Sequence, residues 1–490
     1  DGGGTWAQLS DDLTRADPST LQHTGGPITG DMNGPEVYAT IFSVGPGKLD
    51  ADVIWTGSDD GLVHVTRDNG QNWANVTPTD MPDFGRVSQI DASSFDSGRV
   101  YMSVRRPLLD DFAPYIWRTA DYGASWTMIV NGIPADAYVH VVREDPRRDG
   151  LIYAGTNRGV YISYNDGDRW QALNPNLPDL PIIDLIVEEN ELVAGSHGRG
   201  FWVLDNMAPL REMMPGMTAD GSKLFTPPTA TRSAGGVTIS WWIGDEDPGA
   251  QLEILDATGD VLRTYTPAVE DAPSGGPEAR YSGPSLSNEA GLNYLHWDLR
   301  TEPASVFPGM ILWGVRTFSP AVPPGTYSVR LTANGATQTV PLTVQGNPWI
   351  TDVTDADLQA QYDFGRAVRD KVTEANSAVI SVRNMKAQLE NRLERSDDRR
   401  LRDAGTRLDG SASEVEGNIY QVQNQAGQDP LNFPIKVNNR LANLMSMSER
   451  GDGRPGNNMP VIFDILVEEL QGYTDRLDII WSEELAAVNA

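Results

Sequence analysis

A short pattern that recurs along the first 170 residues constrains the fold more than any other feature of the sequence. It reads TRDNGQNW at 66–73, TADYGASW at 119–126 and SYNDGDRW at 163–170, and a truncated copy, DGGGTW, occupies 1–6. A hydroxyl residue is followed by Asp or Asn, then Gly, then Trp. Hydroxyl and carboxylate groups accept hydrogen bonds from the N–H groups of a tight turn, in which Gly takes a positive φ. The pattern therefore predicts a hairpin turn whose Trp packs between neighbouring sheets.

We call each copy of this pattern a box. The box residues are Asp1, Gly3 and Trp6; Thr66, Asp68, Gly70 and Trp73; Thr119, Asp121, Gly123 and Trp126; and Ser163, Asn165, Gly167 and Trp170. A stretch typical of two hairpin strands precedes each complete box, as in DVIWTGSDDGLVHVT at 52–66. Successive boxes are about 45 to 65 residues apart, which fits four-stranded propeller blades, some with insertions.

The boxes resemble the Asp-box, or BNR, β-propeller family, which includes sialidases, xyloglucanases and sortilin. Further similarity, at 25–34, 110–126 and 195–206, points to secreted bacterial proteins described as glycosyl hydrolase-like or sortilin-like. The resemblance covers residues 1–206 and implies C-terminal blades of a propeller in a bacterial protein that is secreted or lies on the cell-envelope exterior. About four blades are present, fewer than this family usually has. We therefore expect further N-terminal blades upstream of Asp1, in the same protein or as a separate chain.

The remainder of the chain predicts two more domains after a linker at 207–235. Alternating apolar residues and turn signals across 236–347 predict a β-sandwich, and GLNYLHWDLR followed by PPGTYSVRLT resembles the Ig-like domain of flagellar hook-capping proteins. From residue 354 to 490 the apolar period becomes helical, which predicts an antiparallel four-helix bundle. The expected architecture is thus multidomain: propeller blades, an Ig-like sandwich and a helical bundle that is either self-contained or a site of oligomerisation.

Composition limits the classes of partner. Lys and Arg number 38 against 68 Asp and Glu, a net charge of −30, which argues against nucleic acid as a partner because nucleic-acid binding needs a basic surface. The chain contains no cysteine, which excludes disulfides and thiolate chemistry. No apolar run is long enough to span a membrane. We find no motif for a cofactor or a metal ion and predict neither.

Two segments carry candidate ligand-binding residues. The insertion RRPLLDDFA at 105–113 lengthens one hairpin, and such loops often reach a propeller's binding face. The segment GSHGRGFW at 195–202 places two basic side chains between glycines, either at the propeller's central channel or simply closing the last blade. The candidates are Arg105, Asp110, Asp111, His197 and Arg199.

The expected function is binding or assembly, with an extracellular glycan or protein as the ligand. The alternative is a glycoside hydrolase, sialidase- or xyloglucanase-like. Glycoside hydrolysis needs two carboxylates across one cleft. The adjacent acids Asp59–Asp60 and Asp110–Asp111 point to opposite faces of a strand and form no such pair, so an active site would have to be completed by upstream blades. The catalytic residues are therefore left unassigned.

Overall fold

The computed structural model describes residues 3–27, 30, 37–213, 221–232, 235–268, 283–315 and 318–489. The chain divides into two compact units, Asp1–Met217 and Thr218–Ala490. Asp1, assigned to the first box, lies outside the described residues. Among the described residues, no helix is long and apolar enough to cross a membrane.

Four antiparallel sheets, here called blades 1 to 4, follow one another through the first unit. Their strands are β1 (Ile41–Pro46), β2 (Ile54–Ser58), β3 (Val63–Thr66) and β4 (Ala74–Asn75); β5 (Arg86–Ala92), β6 (Val100–Arg106), β7 (Asp111–Thr119) and β8 (Thr127–Met128); β9 (Val139–Glu144), β10 (Ile152–Thr156), β11 (Gly159–Ser163) and β12 (Gln171–Ala172); and β13 (Ile182–Val187), β14 (Leu192–Ser196) and β15 (Phe201–Leu204). Within each blade the strands pair in chain order. The first strands of successive blades contact one another. The sheets therefore curl into a propeller-like half-barrel.

The cores of this unit lie between blades. Trp55 of blade 1 and Ile90, Val104 and Trp117 of blade 2 are almost completely buried in one shared cluster. Strand β10 is buried along its whole length, since all five of its residues, including Thr156, are buried. A blade is consequently stabilised by its neighbours more than by its own pairing.

Each complete box forms the turn between the third and fourth strands of its blade. In the box of blade 2, the Thr119 hydroxyl donates to the Asp121 carboxylate at 2.7 Å and accepts from the Gly123 N–H at 3.0 Å. Tyr122 and Gly123 both have positive φ, 57° and 83°, the geometry of a type I′ turn. Asn165 makes the corresponding contacts in the box of blade 3, where its amide oxygen accepts from Ser163 at 2.9 Å. Asn can replace Asp because only the acceptor oxygen is needed.

The box tryptophans contact the chain that precedes their own blade, and this contact repeats with fixed spacing. Each indole N–H donates to the carbonyl of the residue three positions after the preceding box Trp. The three pairs are Trp73 to Leu9 at 3.0 Å, Trp126 to Val76 at 2.7 Å and Trp170 to Ile129 at 2.7 Å. Trp6, by contrast, is 91% exposed and donates to the carbonyl of Gly3 in its own turn.

The second unit begins with two sheets. Its strands are β16 (Ser222–Leu224), β17 (Ala230–Thr231), β18 (Val237–Ile243), β19 (Gln251–Leu255), β20 (Val261–Tyr265), β21 (Gly291–Trp297), β22 (Gly325–Ala333) and β23 (Ala336–Gln345). One sheet has the order β16-β18-β21 and the other β17-β23-β22-β19-β20. Trp241, Trp297 and Val329 are buried in the core that the two sheets share. The finer Ig-like assignment remains a prediction.

The composition of 207–235 indicates a linker, but several of these residues are structured. Ala208–Glu212 forms a short helix, α1, and both β16 and β17 lie in this stretch. β16 pairs with β18 and β17 pairs with β23. A strand of two or three residues is too short to show an alternating apolar pattern in the sequence. Its pairing partner lies elsewhere in the chain, so no hairpin turn next to it marks its position either.

The chain from residue 355 onward is helical. The helices are α2 (Asp355–Glu394), α3 (Arg399–Ile419), α4 (Val437–Ser448), α5 (Met459–Ile479) and α6 (Ala486–Asn489), and a π-helical turn, Ile480–Leu485, joins the last two. Thr354 caps α2, because its hydroxyl accepts from the Asp357 N–H at 3.2 Å while the Asp357 carboxylate accepts from the Thr354 N–H at 3.1 Å. The antiparallel bundle topology itself stays a prediction.

The sheets and helices of the second unit share buried side chains. Phe307 and Met310, which follow the sheet strand β21, are buried in the helical core beside Val372 and Leu408. In the other direction, Tyr362 of α2 packs into the core of the two sheets. The sequence predicts the sandwich and the helical bundle as two separate domains, but in the structure the sheets and helices belong to one compact unit.

Candidate binding pocket of the first unit

The two edges of each blade differ in what they carry. Because successive strands are antiparallel, the start of the first strand and the turn between the second and third strands lie at one edge. The box turns, between the third and fourth strands, lie at the opposite edge. We call the edge where the first strands begin the pocket face, because the pocket described next opens there.

A pocket of about 540 Å³ lies on the pocket face and receives residues from all four blades. Its volume falls in the usual range for small-molecule and peptide sites. The lining residues are Tyr38, Asp59, Phe84, Arg86, Arg105, Arg106, Pro107, Leu108, Leu109, Tyr138, His140, Ile183 and His197. Its wall is mainly apolar and aromatic, and three arginines and two histidines supply most of its polar groups.

His140 is the most informative residue of the pocket. It is 8% exposed, and its Nδ1 lies 2.9 Å from the Arg105 guanidinium. Burial, together with the charge of Arg105 and the nearby His197, lowers the pKa of His140 to about 4. The ring is therefore neutral near pH 7, and because an arginine only donates, Nδ1 is the acceptor and Nε2 carries the proton. That buried Nε2–H has no hydrogen-bond partner among the described residues.

Two arginines of the pocket lack an acidic partner among the described residues. Arg86 and Arg105 are direct cross-strand neighbours in the pairing of β5 with β6. Arg86 lies over the Phe42 ring at 4.7 Å. Burial, and then the charge of Arg86, lowers the pKa of Arg105. Like charges placed opposite one another on a sheet destabilise it, so these two side chains form a positive site without a counter-ion.

The other charged groups of the pocket are already paired. Arg106 donates to Asp111 at 2.6 Å. Asp59 accepts from the N–H of Thr40 at 2.8 Å and from its hydroxyl at 3.2 Å. Asp59 thus fixes the chain leading into β1.

The structure separates the five residues predicted from the two segments. Arg105 and His197 line the pocket, together with Pro107–Leu109 of the insertion. Arg199 is exposed and lies outside the lining. Asp110 is exposed too and ends the short 3₁₀ turn of the insertion with a positive φ of 58°.

Asp111 supports the insertion from outside the pocket lining. Burial alone would raise its pKa, but hydrogen bonds from the Ala113 N–H and the Tyr115 hydroxyl, and the Arg106 guanidinium, hold the pKa of Asp111 below its usual range. The carboxylate is therefore ionised and ties both ends of the hairpin together. This is a positioning role for Asp111, whose side chain was a candidate for direct ligand contact.

Sequence reasoning missed Arg86, Tyr138 and His140. All three lie at or just before the start of a first strand, whereas the residues predicted from sequence lie in or beside the turns between second and third strands. One signal was present: in AYVHVVRE, at 137–144, a histidine interrupts an apolar strand. Once the strand order is known, a polar residue near the beginning of a buried first strand can be placed at the pocket face.

The pocket offers little for acid–base hydrolysis or metal binding. Asp59 is its only carboxylate among the described residues, and glycoside hydrolysis requires two. No group of three His, Asp or Glu side chains in the described part of the chain could hold a metal ion. What the lining supplies is hydrogen-bond donors, positive charge and apolar surface.

The low pKa of His140 makes the first unit less stable in mild acid. An unfolded His takes up a proton near pH 6.5, whereas the folded His140 does so only near pH 4. Stability from this residue is thus fully present above pH 6.5 and falls as the pH drops towards 4, by about 2–4 kcal/mol. We expect His140→Gln to remove this part of the pH dependence. Urea unfolding of both proteins between pH 4 and 7 measures it, and parallel pH profiles would contradict the assignment.

No protein-family model matches the chain, and no curated protein sequence matches it. Among solved structures it is similar to YCF48 bound to D1 peptide, at 18% identity over 46% of this chain and 69% of that one, with a TM-score of 0.26. It is also similar to the GH74 xyloglucanase from Xanthomonas campestris, at 15% identity over 59% and 53%, with a TM-score of 0.26. A third is PorZ, a surface component of the type-IX secretion system of Porphyromonas gingivalis, at 12% identity over 62% and 52%, with a TM-score of 0.23.

Proposed function

We propose that this chain is a binding or assembly protein of the cell exterior, and that its first unit captures a glycan or protein ligand in the pocket of the pocket face. The observation that carries the proposal is a preformed pocket that includes His140, whose buried Nε2–H has no hydrogen-bond partner among the described residues. A buried donor left without an acceptor costs about 1–3 kcal/mol. An incoming acceptor group would remove that cost.

Binding fits the pocket better than hydrolysis does. A glycoside hydrolase needs an acid and a second carboxylate on either side of the scissile bond, while Asp59, the only carboxylate among the described lining residues, is occupied by Thr40. The exposed apolar side chains of the insertion, Leu108 at 82% and Leu109 at 51%, instead suit a surface that becomes covered when a ligand binds.

Arrays of oligosaccharides and of peptides, probed with the labelled full chain, test this function. We expect Leu109→Asp, at the rim of the pocket, to weaken the strongest array signals by about tenfold or more, because it places a charge in an apolar contact. The matched control is Leu431→Asp, which alters an exposed leucine of the second unit and should leave the signals unchanged. Equal signals from wild type and Leu109→Asp would refute the pocket as the binding site.

Assembly with further chain is the second part of the proposal. Phe201 and Val203 of β15 are 82% and 50% exposed, and Phe42 and Val44 of β1 are 45% and 56% exposed. In blade 4 no fourth strand covers β15 among the described residues. We propose that additional blades, from the same protein or another chain, cover these side chains, and that the helical region contributes to oligomerisation. Light scattering of the purified full-length protein measures the number of chains.

A further inference from the structure

We infer that the ligand of the pocket is a carboxylate attached to an apolar body, and that Arg86, Arg105 and the Nε2–H of His140 hold the carboxylate. This inference rests on the proposed function, because it requires the pocket to be the binding site. It goes further by naming the chemical class of the group recognised.

The positive side of the pocket is preorganised for one small anion. Arg86 and Arg105 are paired residues on adjacent strands, so their side chains emerge on the same face of blade 2. Neither has a carboxylate partner among the described residues, although the protein carries a net charge of −30. His140 holds Arg105 by its Nδ1 at 2.9 Å. An anion bound between the two guanidinium groups would relieve their mutual repulsion.

The third donor, His140 Nε2–H, selects for an acceptor oxygen. Because the low pKa of His140 follows from its burial and from Arg105, the imidazole stays neutral and offers a single N–H at fixed orientation. A carboxylate presents two oxygens, enough to accept from an arginine and from this N–H together. Charge-assisted bonds of this kind are about twice as strong as neutral ones.

The rest of the pocket sets the nature of the attached body. Much of the remaining lining is apolar or aromatic. It consists of Phe84, Leu108, Leu109, Tyr138 and Ile183. Burial of apolar ligand surface against such a wall is favourable at about 25 cal/mol per Å². A polyhydroxylated or multiply charged ligand would lose hydration there without compensating partners. The combination therefore favours a monocarboxylate with an alkyl or aromatic body, and of the two ligand classes proposed above it favours a protein, bound by an apolar C-terminal residue, over a glycan.

Such a group has two possible sources: a free organic acid, or the C-terminal residue of a peptide. We would titrate the full chain by calorimetry with 3-phenylpropionate, 3-phenylpropanamide, acetyl-Gly-Gly-Phe and the C-terminal amide of that peptide. The inference predicts that at least one acid binds more tightly than its amide by about tenfold or more, because the amide lacks the charge. The source is the peptide if only the peptide acid binds, and the free acid if only 3-phenylpropionate binds.

Arginine variants assign the binding to this pocket. We expect Arg86→Met and Arg105→Met each to weaken acid binding by about tenfold or more and to leave the amides unaffected. Arg86→Met keeps the test valid if Arg105→Met fails to fold, since Arg105 also bonds to the buried His140 ring. The control is Arg147→Met, an arginine 54% exposed that pairs with Glu189 away from the pocket lining, which should bind as wild type does.

Three results would overturn the inference: no binding of either acid, equal binding of acids and amides, or acid binding that Arg86→Met leaves intact. None of these would by itself remove the proposed function, because a neutral array ligand sensitive to Leu109→Asp would still bind in the pocket. Array signals insensitive to Leu109→Asp would remove both. The two failures are therefore distinguishable.

Discussion

Replacing Arg232 with Met should lower the free energy of unfolding of the second unit by about 3–5 kcal/mol, the usual cost of removing one partner of a buried ion pair. Arg232 is 3% exposed. Its guanidinium donates to the Asp452 carboxylate at 3.0 Å, to the Gln361 side chain at 2.7 Å and to the Val322 carbonyl at 2.6 Å. Methionine fills similar space but leaves the Asp452 carboxylate buried, with a side-chain exposure of 8%, and without this counter-charge.

Urea unfolding followed by helical circular dichroism measures this effect, because the long helices belong to the second unit. The control is Arg330→Met, which breaks the pair between Arg330 and Glu253, at 2.7 Å but with the arginine 34% exposed. Half-exposed pairs contribute about 0–1 kcal/mol. The variant Arg232→Met with Asp452→Asn should recover part of the loss, since the buried Asp452 charge is removed together with its partner. A midpoint for Arg232→Met equal to that of Arg330→Met would contradict the prediction.

The same contact explains why sheets and helices of the second unit should unfold together. Arg232 follows β17, Gln361 belongs to α2, and Asp452 comes after α4, 220 residues further along the chain. A second pair, Arg300 and Glu449 at 2.8 Å, joins the same two parts. A contact between residues 220 positions apart leaves no local pattern in the sequence. The sequence therefore predicts two separate domains.

The features that sequence predicted well are those fixed by short-range chemistry. Antiparallel sheets followed by a helical C-terminal region are confirmed. In α2, the residues Leu358, Tyr362, Val368 and Val372 are buried, in line with the helical period read from the sequence, because one apolar stripe faces the core. The boxes are also largely local: the hydroxyl, the carboxylate and the glycine of one box bond to each other within a few residues of the chain.

The pocket could be predicted only in part. Arg105 and His197 were found because loop composition marks them, while Arg86 and His140 lie on strands where a polar residue has several explanations. Their importance depends on register: Arg86 lies opposite Arg105, and His140 reaches Arg105 from the next blade. Register between strands of different blades is set by tertiary packing, and periodicity within one segment carries no information about it.

Two box glycines, Gly123 and Gly167, should be sensitive positions of the first unit, because a Cβ added at either would meet a side chain of the preceding blade. Replacing Gly123 with Ala is expected to destabilise that unit by about 2–4 kcal/mol. Gly123 has a φ of +83°, and a Cβ added there would lie 2.6 Å from the Val76 Cβ and 2.8 Å from its Cγ2. Val76 cannot move aside easily, because its N–H donates to Val63 at 2.9 Å and its carbonyl accepts from Trp126 at 2.7 Å.

Gly150→Ala separates backbone strain from the contact between blades. Gly150 also has a positive φ, +72°, but the closest atom to an added Cβ there lies at 3.6 Å, so only the strain of about 1 kcal/mol should appear. The excess loss in Gly123→Ala then measures how tightly the box of blade 2 packs on blade 1. Urea unfolding followed by tryptophan fluorescence provides both values. If the two variants lose equal stability, the boxes shape their own turns without joining the blades, and the repeated contact between box tryptophans and the preceding blade contributes little to stability.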